Sequence, residues 1–332
     1  MTDQEPEMNR GRTAEFVRSD TLEQLLSEVN GAIGDTLPAP YDKPKYPVIL
    51  IMGNARSGTT LTSQWLSSLG HFAYPSNLLA RFYANPYLGG RIQQILADND
   101  PDNQMGLHQQ VSFSSALGRT KGALAPSEFW YFWRQFFSFG DIQTLSPEQL
   151  ASVDTAAFLK GLAGLEAAFD RPVVLKGMIM QWHIPFLDKI LDKALFLNVK
   201  RDPFYNAQSL YFARKRFFDD VSRWYAFKPP EYNTLKNEPP IRQVAGQIVH
   251  TGRAIEEGLK HVSDDRYLSY RYEDFCADPQ KLYEDIAAKM KAQHYVLPAE
   301  YGGEPAFDAA NTQRLSDAEA HELRTALDAF SQ

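Results

Sequence analysis

The chain has 332 residues, of which 44% are hydrophobic, so it can bury a sizeable core. Its formal net charge of −7 argues against nucleic acid as the main partner. The single cysteine, Cys276, excludes an internal disulfide and disfavours a cysteine-based zinc site. A reducing, cytoplasmic location is therefore expected.

Residues 1–45 are interpreted as an N-terminal extension. Residues 1–20 are polar and charged, without the apolar segment of a signal peptide, and a short amphipathic helix is predicted for 21–29. No apolar run approaches the length of about 20 residues that crosses a bilayer, so no membrane span is expected. The extension is expected to pack on the core or on another copy of the chain, which leaves a homo-oligomer open.

The first motif is a strand, a glycine-bounded loop and a helix in direct succession. The continuous apolar run 48–52 predicts a buried strand. The glycines that follow have P-loop spacing, which turns backbone N–H groups and a helix N-terminus toward a phosphate-like anion. The predicted anion-binding residues are Gly53, Asn54, Ala55, Arg56, Ser57, Gly58, Thr59 and Thr60.

The loop differs from that of a P-loop NTPase in its cation. Thr59 stands where those proteins have lysine, and Arg56 lies inside the loop instead. Losing the lysine disfavours ordinary ATP chemistry. An arginine still presents a planar fork of donors to a tetrahedral anion.

A dense aromatic run, 129–133, continues through Phe136, Phe137 and Phe139 inside the region 97–170, which is predicted to be a mostly helical insertion. Rings on more than one helix face indicate a helix buried on several sides. Alternatively, some of these rings line a ligand pocket. Ser127 is a candidate helix N-cap, which would make Glu128 an ordinary first-turn glutamate.

Two further strands end at basic residues. Lys176 follows the apolar run 172–175, and Arg201 follows the apolar run 194–199. Asp202 and Pro203 then predict a helix start, with Ser209 further along the helix. The carboxyl ends of strands in an open α/β sheet are where ligands bind. Alternating strands and helices favour a single α/β sheet.

Together these segments resemble the sulfotransferases that use 3′-phosphoadenosine 5′-phosphosulfate (PAPS). GNARSGTTL is similar to the family's 5′-phosphosulfate loop, KRDPFYNAQS to its 3′-phosphate element, and YEDFCADPQKLYEDI, 272–286, to a late strand-end and helix-start element. The resemblance implies that Arg201 and Ser209 hold the 3′-phosphate, and that Lys176 assists the leaving group.

The resemblance also implies a three-layer α/β/α P-loop-kinase-like fold with a central parallel sheet and helical insertions. The domain would span 46–300, with 301–332 as its C-terminal helical segment. Sulfuryl transfer to a hydroxyl acceptor, with a carbohydrate or glycan as a candidate, would release adenosine 3′,5′-bisphosphate. No metal is expected, because arginine, lysine and the helix dipole supply the positive charge.

In-line transfer needs a base for the acceptor proton. Glu128 is the preferred candidate because it lies beside the aromatic run, and His108 and His183 are the alternatives. The segment 224–240, with two Pro-Pro pairs, is predicted to be a long loop or lid. Most of the basic residues around Arg201, including Arg214, are expected to form a solvated helix face.

Two other functions stay open at this point. One is a P-loop kinase acting on a nucleotide or small molecule. The other is a non-catalytic nucleotide-binding relative that keeps the donor fold without turnover.

Overall fold

The computed structural model describes residues 9–33, 36–100, 102–107 and 111–332. Its centre is a parallel sheet of four strands, and a two-stranded antiparallel hairpin lies apart from it. The chain order of the strands is β1 Val48–Gly53, β2 Ser115–Ala116, β3 Arg119–Thr120, β4 Val174–Lys176, β5 Ala194–Lys200 and β6 Tyr267–Arg271. The sheet order is β4-β1-β5-β6, and β2 pairs with β3 to form the hairpin.

Helices cover both faces of the sheet. They are α1 Asp20–Ile33, α2 Thr59–Ser68, α3 Pro86–Gln93, α4 Trp130–Phe136, α5 Pro147–Ala151, α6 Thr155–Phe169, α7 Ile184–Ile190, α8 Pro203–Phe218, α9 Tyr232–Leu235, α10 Pro240–Leu259, α11 Tyr272–Ala277, α12 Pro279–Ala292 and α13 Asp317–Ser331. Side chains of a strand alternate between its faces. On β1, Leu50 therefore packs in the core with α4, α6 and α7, whereas Ile51 packs in the core with α2, α11 and α12. This arrangement confirms the predicted three-layer α/β/α fold.

The helix start predicted at Asp202 is also found, and α13 begins with a similar cap. Asp202 caps α8 by accepting hydrogen bonds from the backbone N–H groups of Phe204 and Tyr205, with proline at the first helical position. Ser316 caps α13 through a capping box with Glu319. In both cases a short polar side chain before the helix satisfies N–H groups that lack an intrahelical partner.

The helix expected to start at Ser127 starts later. It begins at Trp130, after Phe129, which has a φ of 55°. Glu128 is therefore not a first-turn glutamate but lies in the loop before α4. The region 97–170 holds α4, α5, α6 and the hairpin together with long irregular stretches, so it is less helical than the sequence indicates.

The aromatic run is divided between the core and a cavity. Phe132 and Phe137 are fully buried and surround Phe158 of α6, with ring centroids 5.7 and 5.4 Å away. Trp130 and Tyr131 instead line the cavity described below. The buried-helix interpretation therefore holds for Phe132 and Phe137, and for Trp130 and Tyr131 a ligand pocket stays a prediction.

Arg214 does not lie on a solvated helix face. Its side chain is fully buried and donates to the side-chain oxygens of Gln243 and Gln247, at 2.6 and 3.2 Å. Burial lowers its pKa to about 10. Gln247 in turn donates to the carbonyl oxygens of Tyr225 and Phe227. The predicted lid segment, 224–240, is thus anchored from behind by a buried polar network and contains the short helix α9.

Residues 9–18, here named the strap, pack on the end of α8. Phe16 is fully buried, with its ring 4.7 Å from that of Phe217. The backbone N–H of Thr13 donates to the carbonyl oxygen of Phe217, and Arg216 pairs with Glu15 at 2.6 Å. Part of the N-terminal extension is therefore integrated into the domain.

Phe158→Ala should lower the free energy of unfolding by about 3–5 kcal/mol, because it removes the ring at the centre of the aromatic cluster and leaves a cavity. Chemical denaturation measures the effect. Ile95→Ala is the control, since that side chain is 69% exposed and should change stability by no more than about 0.5 kcal/mol. Equal losses in the two variants would contradict the buried position of Phe158.

Candidate active site

The loop between β1 and α2 lies at the carboxyl edge of the sheet, where two glycines permit a close approach. Gly53 and Gly58 have φ values of 142° and 106°, in the region that favours glycine. A Cβ on Gly53 would lie 2.7 Å from the carbonyl oxygen of Val199, and a Cβ on Gly58 would lie 2.4 Å from the ring of Tyr272. Both positions therefore require glycine.

The structure brings the loop together with the α8 element. Arg201 donates from Nη1 to the carbonyl oxygen of Arg56 at 2.8 Å. Arg56 donates from Nε to the hydroxyl of Ser209 at 3.4 Å. Burial lowers the pKa of Arg56 and of Arg201 from the ordinary arginine value. Three residues predicted from two separate motifs therefore meet in one cluster, which holds two cations and a hydroxyl.

Arg201 is held on several sides. Its Nε donates to Oδ1 of Asn311 at 3.0 Å, and its Nη2 donates to the carbonyl oxygen of Ala310 at 2.5 Å. The guanidinium carbon also lies 5.0 Å from the ring centre of Tyr272. An arginine carries five N–H donors, so these contacts and the one to Arg56 leave two for an anion.

Lys176 and Glu128 form an ion pair. Nζ of Lys176 lies 2.5 Å from Oε1 of Glu128 and donates to the hydroxyl of Thr60 at 3.0 Å. The Lys176 side chain is only 6% exposed, while that of Glu128 is 29% exposed. The other carboxylate oxygen of Glu128 accepts from the indole N–H of Trp130 at 2.5 Å. The end of β4, the start of α2 and the loop before α4 thus meet at one point.

A cavity of about 1020 Å³ opens beside this pair. Arg56, Thr60, Lys176 and Glu128 line it, and Ala55 and Thr59 also belong to its wall. Aromatic side chains form much of the remaining wall, namely Trp130, Tyr131, Phe217, Phe218, Trp224, Tyr225 and Phe227. The arrangement provides cations, one carboxylate and an apolar pocket in a single space.

Other loop residues have structural contacts. The side-chain amide of Asn54 donates to the carbonyl oxygen of Ile248, and the hydroxyl of Thr59 contacts the sulfur of Met178. Ser57 is fully buried, and its hydroxyl has no hydrogen-bond partner within the described chain. A buried hydroxyl without a partner costs free energy.

His183 has a structural position. It precedes α7, and its Nε2 accepts a hydrogen bond from the backbone N–H of Leu145 at 2.8 Å. Burial lowers its pKa, and it is not among the residues that line the cavity. His108, the other histidine considered as a base, lies outside the described residues.

The sequence interpretation missed several residues of the cavity wall. Tyr225 donates its hydroxyl to the carbonyl oxygen of Leu117 and joins segment 224–240 to the hairpin. Arg12 and Arg18 reach the cavity from the strap. Aromatic and basic residues in the N-terminal extension and in segment 224–240 were the available signal, but no motif assigned them to a site.

Within the described ranges, no three His, Cys, Asp or Glu side chains are grouped as metal ligands. No helix in the same part of the chain has the length and apolar character to cross a bilayer.

The fold and the loop agree with a direct family comparison. A model of the sulfotransferase family matches residues 47–293, so the chain belongs to the sulfotransferase family. The family predicted from the GNARSGTTL and KRDPFYNAQS motifs is thereby confirmed.

Among individual proteins, the chain is 22% identical over 252 residues to the omega-hydroxy-beta-dihydromenaquinone-9 sulfotransferase Stf3 of Mycobacterium bovis. The match covers 72% of this chain and 62% of that relative, and the Mycobacterium tuberculosis protein of the same name matches equally. Two crystal structures share the fold. Sulfotransferase STF9 from Mycobacterium avium has a TM-score of 0.50 at 14% identity, covering 95% of this chain and 78% of STF9. Sulfotransferase STF1 from M. tuberculosis has a TM-score of 0.50 at 15% identity, and the match covers 91% of this chain and 76% of STF1.

His183→Gln should weaken the dependence of stability on pH without affecting the binding of adenosine 3′,5′-bisphosphate. The pKa of His183 lies below its ordinary value of 6.5 in the folded state, so the unfolded chain binds more protons on acidification. Its contribution to stability is therefore present above the unfolded pKa and is lost as the pH falls below it. Thermal denaturation across this range measures the effect. A loss of bisphosphate affinity in the variant would contradict the structural role.

Proposed function

We propose that the protein is a sulfotransferase that moves the sulfuryl group of PAPS to a hydroxyl acceptor and releases adenosine 3′,5′-bisphosphate. The observation that carries this proposal is the convergence of Arg56, Arg201 and Ser209 at the glycine loop, with Lys176 at the neighbouring strand end. These residues fit PAPS, because they gather donors for two anionic groups on one edge of the sheet.

The loop amides with Arg56, Thr59 and Thr60 would hold the 5′-phosphosulfate. The two N–H groups of Arg201 that remain for an anion, together with Ser209, would hold the 3′-phosphate. PAPS supplies the sulfuryl group when it is bound, and the cations would stabilise the negative charge that develops on its phosphate.

Lys176 and Glu128 would have separate roles in the proposed transfer, one at the leaving group and one at the acceptor proton. Lys176 contacts both Thr60 and Glu128, so it would turn from the carboxylate toward the oxygen between phosphorus and sulfur. Glu128 would then accept the proton of the acceptor hydroxyl as the oxygen–sulfur bond forms. The carboxylate is oriented for this role by the indole N–H of Trp130.

The acceptor would enter the aromatic cavity. Trp130, Tyr131 and Trp224 suit a ring system or another bulky body with a reactive hydroxyl. A carbohydrate remains a prediction. The mycobacterial relative is named for a menaquinone derivative that carries an omega-hydroxyl group, so hydroxylated quinones belong in the acceptor panel.

Arg201→Gln should weaken binding of adenosine 3′,5′-bisphosphate by about ten- to hundredfold, because charge-assisted hydrogen bonds to the 3′-phosphate are lost. Isothermal titration measures it, and binding of 5′-AMP, which lacks that phosphate, should be unchanged. Equal losses for both nucleotides would show that Arg201 only supports the loop. In the unaltered protein, tighter binding of ATP with magnesium than of the bisphosphate would favour the kinase alternative instead.

Glu128→Gln should slow sulfuryl transfer by about 10²–10⁴-fold, the usual contribution of a general base, while bisphosphate affinity stays the same. Transfer of sulfur-35 from labelled PAPS to a panel of phenols, hydroxylated quinones and saccharides measures it. Full turnover in the variant would eliminate Glu128 as the base. Bisphosphate binding without transfer to any acceptor by the unaltered protein would favour the non-catalytic alternative.

A further inference from the structure

The strap holds two arginines at the cavity. The side-chain amide of Asn9 donates to the carbonyl oxygen of Arg18, and the backbone N–H of Arg18 donates to Oδ1 of Asn9, which closes the strap into a loop. Buried Phe16 and the Glu15–Arg216 pair fix this loop on α8. Arg12 and Arg18 both line the cavity. They are therefore part of a folded wall.

The cavity carries a strong excess of positive charge. Glu128 is its one carboxylate among the described residues, and Lys176 already pairs with it. The arginines that line the cavity are Arg12, Arg18, Arg56, Arg81, Arg119 and Arg134. The whole chain has a formal net charge of −7, so this excess is local and opposite in sign to the average surface.

The strap and hairpin arginines are close enough to repel one another. Burial and the neighbouring guanidiniums of Arg18 and Arg119 lower the pKa of Arg12. The main compensation is Glu23, which lies 3.5 Å from Arg18 and also accepts from the hydroxyl of Tyr131. Arg119 is oriented by hydrogen bonds to the carbonyl oxygens of Glu15 and Phe16. Gathering like charges costs free energy that a bound anion would offset.

The donor does not account for these arginines. The proposed donor residues come from the β1–α2 loop, the end of β4 and α8, and Arg201 and Ser209 are not among the residues that line the cavity. Arg12 and Arg18 come from the strap and Arg119 from the hairpin, beside the aromatic wall. These three arginines therefore lie where the proposed acceptor would bind.

We propose that the acceptor carries an anionic group, a carboxylate, sulfonate or phosphate, in addition to its reactive hydroxyl and ring body. Arg12 and Arg18 of the strap, with Arg119, bind this group and thereby select the acceptor. This inference rests on the proposed sulfotransferase function, because it assigns the same cavity to the acceptor. It gives the N-terminal extension a role in specificity.

The test compares three fluorescent ring probes: naphthol, hydroxynaphthoate and hydroxynaphthalene sulfonate. Titrations are made with and without saturating adenosine 3′,5′-bisphosphate. The protein should bind the two anionic probes about tenfold more tightly than naphthol, because charge-assisted hydrogen bonds to arginine add to ring burial. Added salt should reduce this preference through screening.

The double variant Arg12→Gln/Arg18→Gln should lose the preference for the anionic probes, while Arg12→Lys/Arg18→Lys should retain most of it. The lysine pair keeps both positive charges. A preference that is lost in the glutamine variant but kept in the lysine variant therefore reflects recognition of the anion and not damage to the strap. Arg91→Gln is the matched control, because Arg91 is exposed on α3 and is not among the residues that line the cavity. It should bind all three probes as the unaltered protein does.

Equal affinity of the unaltered protein for all three probes would overturn the inference, as would a preference that survives in the double glutamine variant. A matching loss of bisphosphate affinity in that variant would assign the arginines to the donor and overturn it too. Failure of the proposed function has a different signature. The unaltered protein would then bind ATP with magnesium more tightly than the bisphosphate, or would bind the bisphosphate without transferring the sulfuryl group to any acceptor.

Discussion

The close contact between the β1–α2 loop and its neighbours is the constraint on which the site depends. Gly58 leaves no room for a Cβ against the ring of Tyr272, and the same ring lies 5.0 Å from the guanidinium of Arg201. Arg201 then donates to the loop carbonyl of Arg56. Because the strands are parallel, the ends of β1, β5 and β6 reach one edge together. This one packing contact sets the distance between the loop and Arg201, which lies just before α8. A larger side chain at Gly58 would separate the two anion-binding elements.

The ion pair of Lys176 and Glu128 stabilises the free protein and joins the two groups that the proposed reaction uses. A charge that is nearly excluded from water is costly to leave unpaired, so the free protein keeps Lys176 against a carboxylate. The proposed reaction needs both groups for other partners, one for the departing phosphate and one for the acceptor proton. Thr60 contacts Lys176 as well, so the lysine can exchange one oxygen for another without losing all of its hydrogen bonds. A donor anion bound at the loop would therefore replace the carboxylate of Glu128 as the negative charge beside Lys176. Glu128 would then be free to accept the acceptor's proton.

Local patterns were sufficient for the fold and for the strands and the helix that carry the proposed donor residues. Short apolar runs predicted β1 and β5, and the Asp202-Pro203 pair predicted the start of α8, because these signals depend on neighbours in sequence. The contact of Lys176 with Glu128 joins residues 48 positions apart and depends on the left-handed backbone of Phe129, which no propensity indicates. Arg214 was misread for a similar reason, since the glutamines that bury it come from a different helix, α10. Tertiary contact, not composition, decides the environment of such side chains.

The strap shows how an apparent appendage can complete a site. Its sequence is polar and lacks a motif, and its attachment relies on a single fully buried ring, Phe16, and a few hydrogen bonds to α8 and the hairpin. A segment with so little buried surface would ordinarily be the least stable part of a domain. Closing it into a loop through Asn9 and Arg18 reduces the conformational freedom that docking must remove. Binding of an anion by Arg12 and Arg18 would stabilise the strap further, because a ligand that binds only the docked state favours that state. Acceptor recognition would then also stabilise the wall of the cavity.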